Sequence, residues 1–348
     1  MERRRFSLAL MGAASLAAGG LLAGGSAQAQ ADSPGLDPEK LAALQRAADA
    51  VVGVRVTAVD DASSARTLGR RRQGSGVVIG DDGLVLTIGY LLLEAEQAEV
   101  LTDDGRVIPA RVLGVDSATG LGLLLPLVPL RIAPAPLATT RPDPAQTEVM
   151  LLVTGGDLGA AAPVRFVARR AFSGSWEYHL DAALFTAPPR PNFAGAGLFN
   201  DRGELTGVGS LFVADATGLG GPPRVPGNMA VPVELLPPIL SELRTQGRSS
   251  ASVRPWIGVN CVEQDGGLRV VRVSEDSPAE SGGVRAGDRI VGIDGEPVAT
   301  LERLWKTLWR GGSPDKDVTL QLLRDGQPLS LKLRAVDRAA TLRRPQGV

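Results

Sequence analysis

Few side chains in this chain of 348 residues could do chemistry. Its one histidine is His179, in Trp176-Glu177-Tyr178-His179-Leu180-Asp181. A histidine and an aspartate two residues apart project to the same side of a strand, where the carboxylate could orient the ring as a general base. Such a base needs a nucleophile, and no serine or cysteine lies between Trp176 and Gly209. A partly buried or surface histidine without a catalytic role is therefore expected. The one cysteine, Cys261, sits in a strand-like run from Trp256 to Val262. It is expected to be a small buried apolar residue, and it cannot form an intrachain disulfide. One histidine and one cysteine make no metal-ligand cluster, and no cofactor is implied. Ala194-Gly195-Ala196-Gly197 is the remaining feature, because residues this small let a backbone bend sharply and present its N–H groups to an anion.

The elements that must hold these residues are mostly strands. Asp37 is placed to cap a helix over 38–49, with Pro38 in its first turn. Strand patterns follow at Val51–Ala58, at 74–80 and 84–87 around an Asp81-Asp82-Gly83 turn, and at 98–101, 107–115 and 121–127. Others lie at 148–154, 164–168 and 205–213, while 60–72 reads as an exposed polar loop. Many short strands with Gly and Asp turns predict an all-β sandwich or barrel over residues 50–233. Aromatic residues are only 4% of the chain, so its cores must be built from Val, Leu, Ile and Ala.

Residues 1–31 read as an export signal. Arg3-Arg4-Arg5-Phe6 precedes an apolar run from Leu8 to Leu22 and an Ala27-Gln28-Ala29 cleavage site. The run is shorter than the ~20 residues a membrane span needs. Twin-arginine and general secretory export both remain open, and a soluble extracytoplasmic (periplasmic or secreted) mature chain is expected. That chain would hold 34 basic against 37 acidic residues, a net charge of −3. This is no footprint for nucleic acid.

Three blocks resemble the HtrA/Deg family of trypsin-like serine proteases. Gly74-Ser75-Gly76-Val77-Val78 and Asp82-Gly83-Leu84-Val85-Leu86-Thr87 match the stretch leading to the family's histidine, whose position falls on Tyr90. Asp116-Ser117-Ala118-Thr119-Gly120-Leu121 matches the block of the orienting aspartate, whose position falls on Gly120. The glycine-rich loop, with Leu198-Phe199-Asn200 after it, matches the nucleophile loop, with Ala194 at the serine position. A serine needs a base, and the base needs a carboxylate to hold its tautomer. Tyrosine, glycine and alanine supply none of the three. The resemblance implies a trypsin-like double β-barrel with a degenerate triad, in which Tyr90 fills the volume of a histidine and its phenol seeks a hydrogen-bond partner.

After a helix over 234–245 and a flexible linker to 253, residues 254–337 resemble the PDZ domain that this family appends. Ser277-Pro278-Ala279, Gly287-Asp288-Arg289-Ile290 and Gly292-Ile293-Asp294-Gly295 carry that signature. The fold class expected is mostly β, a trypsin-like double β-barrel followed by a small α+β PDZ domain. In such domains a loop before the first strand offers N–H groups to a ligand's C-terminal carboxylate, and the ligand adds as a strand. The loop here is Trp256-Ile257-Gly258-Val259. Leu304, Trp305 and Leu308, on a helix over 301–309, would line the groove unless they pack as ordinary core. The tail, 338–348, is expected to be disordered, and its end, Gln346-Gly347-Val348, could itself enter the groove. The resemblance thus implies a pseudoprotease that binds peptides, protein C-termini or unfolded segments, or that scaffolds active protease relatives, with homo-oligomer formation left open. The alternative is an active serine endopeptidase like other members of the family.

Overall fold

A computed structural model describes residues 37–147 and 149–343. The export signal expected over 1–31 and the docking of 346–348 lie outside these residues. The chain begins with helix α1 (Pro38–Asp49), which Asp37 caps by accepting the Glu39 N–H at 3.0 Å. It enters β1 (Val51–Ala58), whose run of buried valines continues straight from the helix. A single helical turn, α2 (Ala65–Leu68), leads to β2 (Arg71–Val78), β3 (Val85–Ile88), β4 (Ala95–Leu101), β5 (Val107–Val115) and β6 (Leu121–Pro126). These strands close into a barrel in the order β1-β2-β3-β6-β5-β4.

Strands β7 (Val149–Thr154), β8 (Ala160–Gly174), β9 (Tyr178–Ala187), β10 (Gly197–Phe199), β11 (Leu205–Val213) and β12 (Gly227–Pro232) close a second barrel in the order β10-β11-β12-β9-β8-β7. One aliphatic core, from Ala47 and Val51 through Leu86 and Leu123 to Val231 and Leu243, runs through both. Helix α3 (Leu240–Gln246) then leads to the third unit.

That unit comprises β13 (Pro255–Trp256), β14 (Val259–Gln264), β15 (Gly267–Val273), the turn α4 (Pro278–Ser281), β16 (Arg289–Ile293), β17 (Glu296–Pro297), helix α5 (Leu301–Leu308), β18 (Lys316–Arg324), β19 (Gln327–Asp337) and the turn α6 (Arg338–Thr341). Its sheet runs β13-β19-β18-β16-β15-β14, with β17 on β16, so β14 is an edge strand. It has its own core of Ile257, Val259, Ile290, Leu304, Leu320 and neighbours. The mostly β double barrel followed by a small α+β PDZ domain is therefore the observed architecture.

Four expectations need correction. The helix expected over 234–245 is broken into a 3-10 turn at Val233–Leu235 and α3, because Pro237-Pro238 lacks the N–H groups that would join them. The linker is not free: the Glu242 carboxylate accepts the Ser250 N–H at 2.6 Å, and the Val115 N–H donates to Gly247 O at 3.2 Å. The loop over 60–72 is not wholly exposed, since Arg72 is 4% exposed. The tail starts ordered: Asp337 caps α6 by accepting the Ala339 N–H, and the Arg343 N–H donates to the Glu94 carboxylate at 2.9 Å.

Candidate functional site

Two places gather the residues singled out by the sequence. The first is the cleft between the barrels. Tyr90 lies on a 3-10 turn, Gly89–Leu91, directly after β3. Its phenol donates to Ser210 O on β11 at 2.8 Å, and burial pushes its pKa up. The turn is held from beneath by Arg72, whose guanidinium donates to Tyr90 O at 3.1 Å, Leu93 O at 2.7 Å and Gly69 O at 2.9 Å. Gly120 has φ +78°, in the left-handed region that favours glycine. A Cβ added there would lie 3.1 Å from the Tyr178 Oη. The Tyr178 hydroxyl donates to Thr119 O at 2.6 Å, so a phenol stands where a side chain at 120 would project.

Ala194 is tied to β2, since its carbonyl accepts the Ser75 N–H at 2.8 Å. The next residue must be glycine: Gly195 has φ +75°, and a Cβ there would fall 1.9 Å from Ser75 O. The Gly195 N–H donates to Gly209 O at 2.8 Å and the Ala196 N–H to Phe193 O at 3.0 Å. Two N–H groups of the expected anion-binding turn are thus engaged within the protein.

His179 is buried on β9. Its Nδ1 is 2.8 Å from Ser173 Oγ and its Nε2 is 3.0 Å from Asp181 Oδ1. Asp181 does join the histidine, as two-residue spacing on a strand predicts, and Ser173 on β8 is the partner that the sequence did not reveal. Glu302 on α5 completes a group whose ligand atoms lie within 4.8 Å of one another. A cation is already in place there, because Lys306 Nζ lies 2.8 Å from Asp181 and 2.7 Å from Glu302. This cluster fastens α5 to the second barrel.

The second place is the loop before β14. The N–H groups of Ile257, Gly258 and Val259 converge on one carboxylate, that of Glu177. They donate to it at 3.1, 2.7 and 3.1 Å. Gly258, at φ +89°, turns the chain so that the donors point one way. Trp256 stands outside this group, in β13, paired with Val336. Glu177 is at the tip of the β8–β9 hairpin with φ +60°, between Trp176 and Tyr178, whose rings stack at 5.9 Å. It is buried, and burial lifts its pKa to about 7 against the opposing pull of the three N–H groups and Arg338. Just before it, Ser175 O accepts the Cys261 N–H at 2.8 Å and Gly174 O accepts the Trp305 Nε1–H at 2.9 Å. Leu304, Trp305 and Leu308 are fully buried, and Trp305 meets the hairpin instead of lining an open groove. Cys261 is buried too, which pushes its thiol pKa up. Glu177 escaped the sequence analysis; a lone carboxylate between two aromatics at a hairpin tip was its signal.

Residues 74–208 match the trypsin-like peptidase domain model, and residues 255–334 match the PDZ domain model. DegS of Escherichia coli, a serine endoprotease, is 28% identical over 328 aligned positions, and the match covers 86% of either chain. The chain resembles the HtrA/Deg proteases, carrying a trypsin-like peptidase domain followed by a PDZ domain. HhoA of Synechocystis sp., named as a serine protease, is 28% identical over 78% of this chain and 72% of its own length. A relative from Ectopseudomonas mendocina named as a DegP-like periplasmic serine endoprotease is 27% identical, and the match spans 57% of its length. The serine endoprotease structure from Yersinia pestis superposes with a TM-score of 0.51 at 25% identity, over 86% of this chain and 97% of that one. A structure of the HtrA-type protease AlgW with a decapeptide has the same fold, with a TM-score of 0.50 at 21% identity over 88% and 99%. No helix among the described residues is long and apolar enough to cross a membrane.

Proposed function

We propose that this chain is an extracytoplasmic pseudoprotease that binds peptides and unfolded protein C-termini through its PDZ domain. It would serve in quality control or as a scaffold for active relatives. One observation carries the inactive half of this reading: none of the three triad positions bears a group that can attack, accept a proton or orient a base, and Tyr178 fills the space of the missing carboxylate. The binding half rests on three N–H groups aimed at a carboxylate beside an edge strand, the arrangement that captures a chain end and adds it to a sheet. The export signal expected over residues 1–31 and the periplasmic names of relatives support the location.

A second reading is an active endopeptidase. The names of the relatives favour it, and so does the Ser173–His179–Asp181 chain of hydrogen bonds. Against it, Asp181 is also held by Lys306, and Ser173 and His179 face each other as register partners in the β8–β9 ladder. The test is digestion of unfolded casein with fluorophosphonate labelling, beside Ser173→Ala. No cleavage and no label are expected. Label mapped to Ser173 and lost in Ser173→Ala, with cleavage, would replace the pseudoprotease by a protease using a different serine.

A further inference from the structure

The PDZ loop is engaged by the chain's own second barrel. Glu177 sends its side-chain carboxylate into the N–H groups of Ile257, Gly258 and Val259. Two residues earlier, the Ser175 carbonyl accepts from Cys261, which is two residues beyond Val259 on the edge strand β14. Gly174 O is held by the indole of Trp305 from α5. Segment 174–177 therefore lies between the edge of β14 and α5, with a carboxylate at the loop end. An added peptide strand would make the same kinds of contact. The left-handed backbone of Glu177, unusual for a residue with a side chain, turns the carboxylate into the loop.

We propose that the β8–β9 hairpin is an intramolecular ligand, with Glu177 standing in for a chain terminus, and that it holds the PDZ groove shut until a peptide with a free C-terminal carboxylate displaces it. This rests on the reading of the loop as a peptide site and adds its regulation. Both ligands need the same N–H groups, so they exclude each other. The apparent affinity for an external peptide is lowered by the fraction of molecules that are closed. Displacement would also loosen Trp305 and the Lys306–Asp181 pair, since both attach α5 to the same hairpin. Capture of a chain end would thus uncouple the PDZ domain from the second barrel.

Two measurements on the full chain separate this proposal from the reading beneath it. Amide hydrogen exchange at Ile257, Gly258, Val259 and Cys261 reports the latch without any ligand. Binding of a fluorescent Gly-Ser-Trp-Val peptide, as free acid and as C-terminal amide, reports the site. Glu177→Ala is the opening variant, and Glu177→Gln keeps the shape and one acceptor if the first folds poorly. We expect faster exchange at these amides with the rest of the PDZ sheet still protected, and at least tenfold tighter binding of the free acid but not the amide. Glu177→Gln should fall between. Unchanged exchange with equal peptide affinity in all forms would overturn the latch and leave the peptide site intact. Faster exchange with no binding of the free acid by any form would overturn the peptide site, and the regulation with it.

Discussion

Restoring the triad residues alone will not restore a protease, and Gly120 is where the attempt fails. A Gly120→Asp change puts a side chain at φ +78°, costing about 1–2 kcal/mol in the left-handed region. The new Cβ would meet the Tyr178 Oη at 3.1 Å, and the carboxyl group would have to go further. Tyr178 would have to swing away and give up its buried 2.6 Å hydrogen bond to Thr119 O, a loss of roughly 1–3 kcal/mol. Its stack on Trp176 would go too, for about 0.5–1.5 kcal/mol more. The sum is about 2.5–6.5 kcal/mol, a large share of a typical domain's stability. The variant combining Tyr90→His, Gly120→Asp and Ala194→Ser should therefore unfold at markedly lower urea than Ala194→Ser alone. It should show no casein cleavage and no fluorophosphonate label. Adding Tyr178→Ala opens the volume and should recover some of the stability lost to the clash. Labelling and cleavage by the triple variant, with a urea midpoint like the parent's, would refute the assignment of that volume to Tyr178.

Three further outcomes follow from buried groups. Glu177 has a pKa raised to about 7 in the closed hairpin, from an ordinary value of 4.5. Closing thus takes up a proton, so the latch is firmest below the ordinary value and weakens as pH rises through that window. Arg338 from α6 acts against the rise, and the neighbouring Cys261 thiol is itself pushed up and stays neutral. Peptide binding by the wild type should be tighter at pH 8 than at pH 5.5, and flatter with pH in Glu177→Gln, read by fluorescence anisotropy. Arg72→Met should cost about 2–4 kcal/mol in urea unfolding, because it leaves the carbonyls of Gly69, Tyr90 and Leu93 without their donors. Cys261 should not react with a disulfide reagent in the folded protein and should react once in denaturant.

Much of the fold could be read along the chain, since local patterns determine most of it. Strand β1 begins and ends where the alternation of valines predicts, α1 starts at its Asp37 cap, and the Asp-Gly turns fall between strands. The PDZ signature was legible because turn glycines and their flanking apolar residues sit at fixed short spacings. Pro237-Pro238 is visible too, and the missing N–H groups of the pair outweigh the helical spacing of the leucines around it. The meeting of Glu177 with Ile257, Gly258 and Val259 was not legible. It joins residues about eighty positions apart, through the packing of α5 on the second barrel, and no local pattern encodes that distance. Tyr178 was hidden for the same reason: its partner Thr119 lies in the other barrel. Ser173 meets His179 through cross-strand register across the hairpin, which spacing along the chain alone does not reveal.

The position of β14 at the end of its sheet has a consequence for solubility. An uncovered edge strand offers a row of N–H and C=O groups on which a second molecule can pair, a common start of aggregation. The hairpin covers part of that row through Ser175 and Cys261. A molecule with the hairpin withdrawn and no peptide bound would expose the edge, and two such molecules could add strand to strand. The resting contact would therefore act as a sheath as well as a stopper, keeping a sticky margin folded away from other copies of the chain.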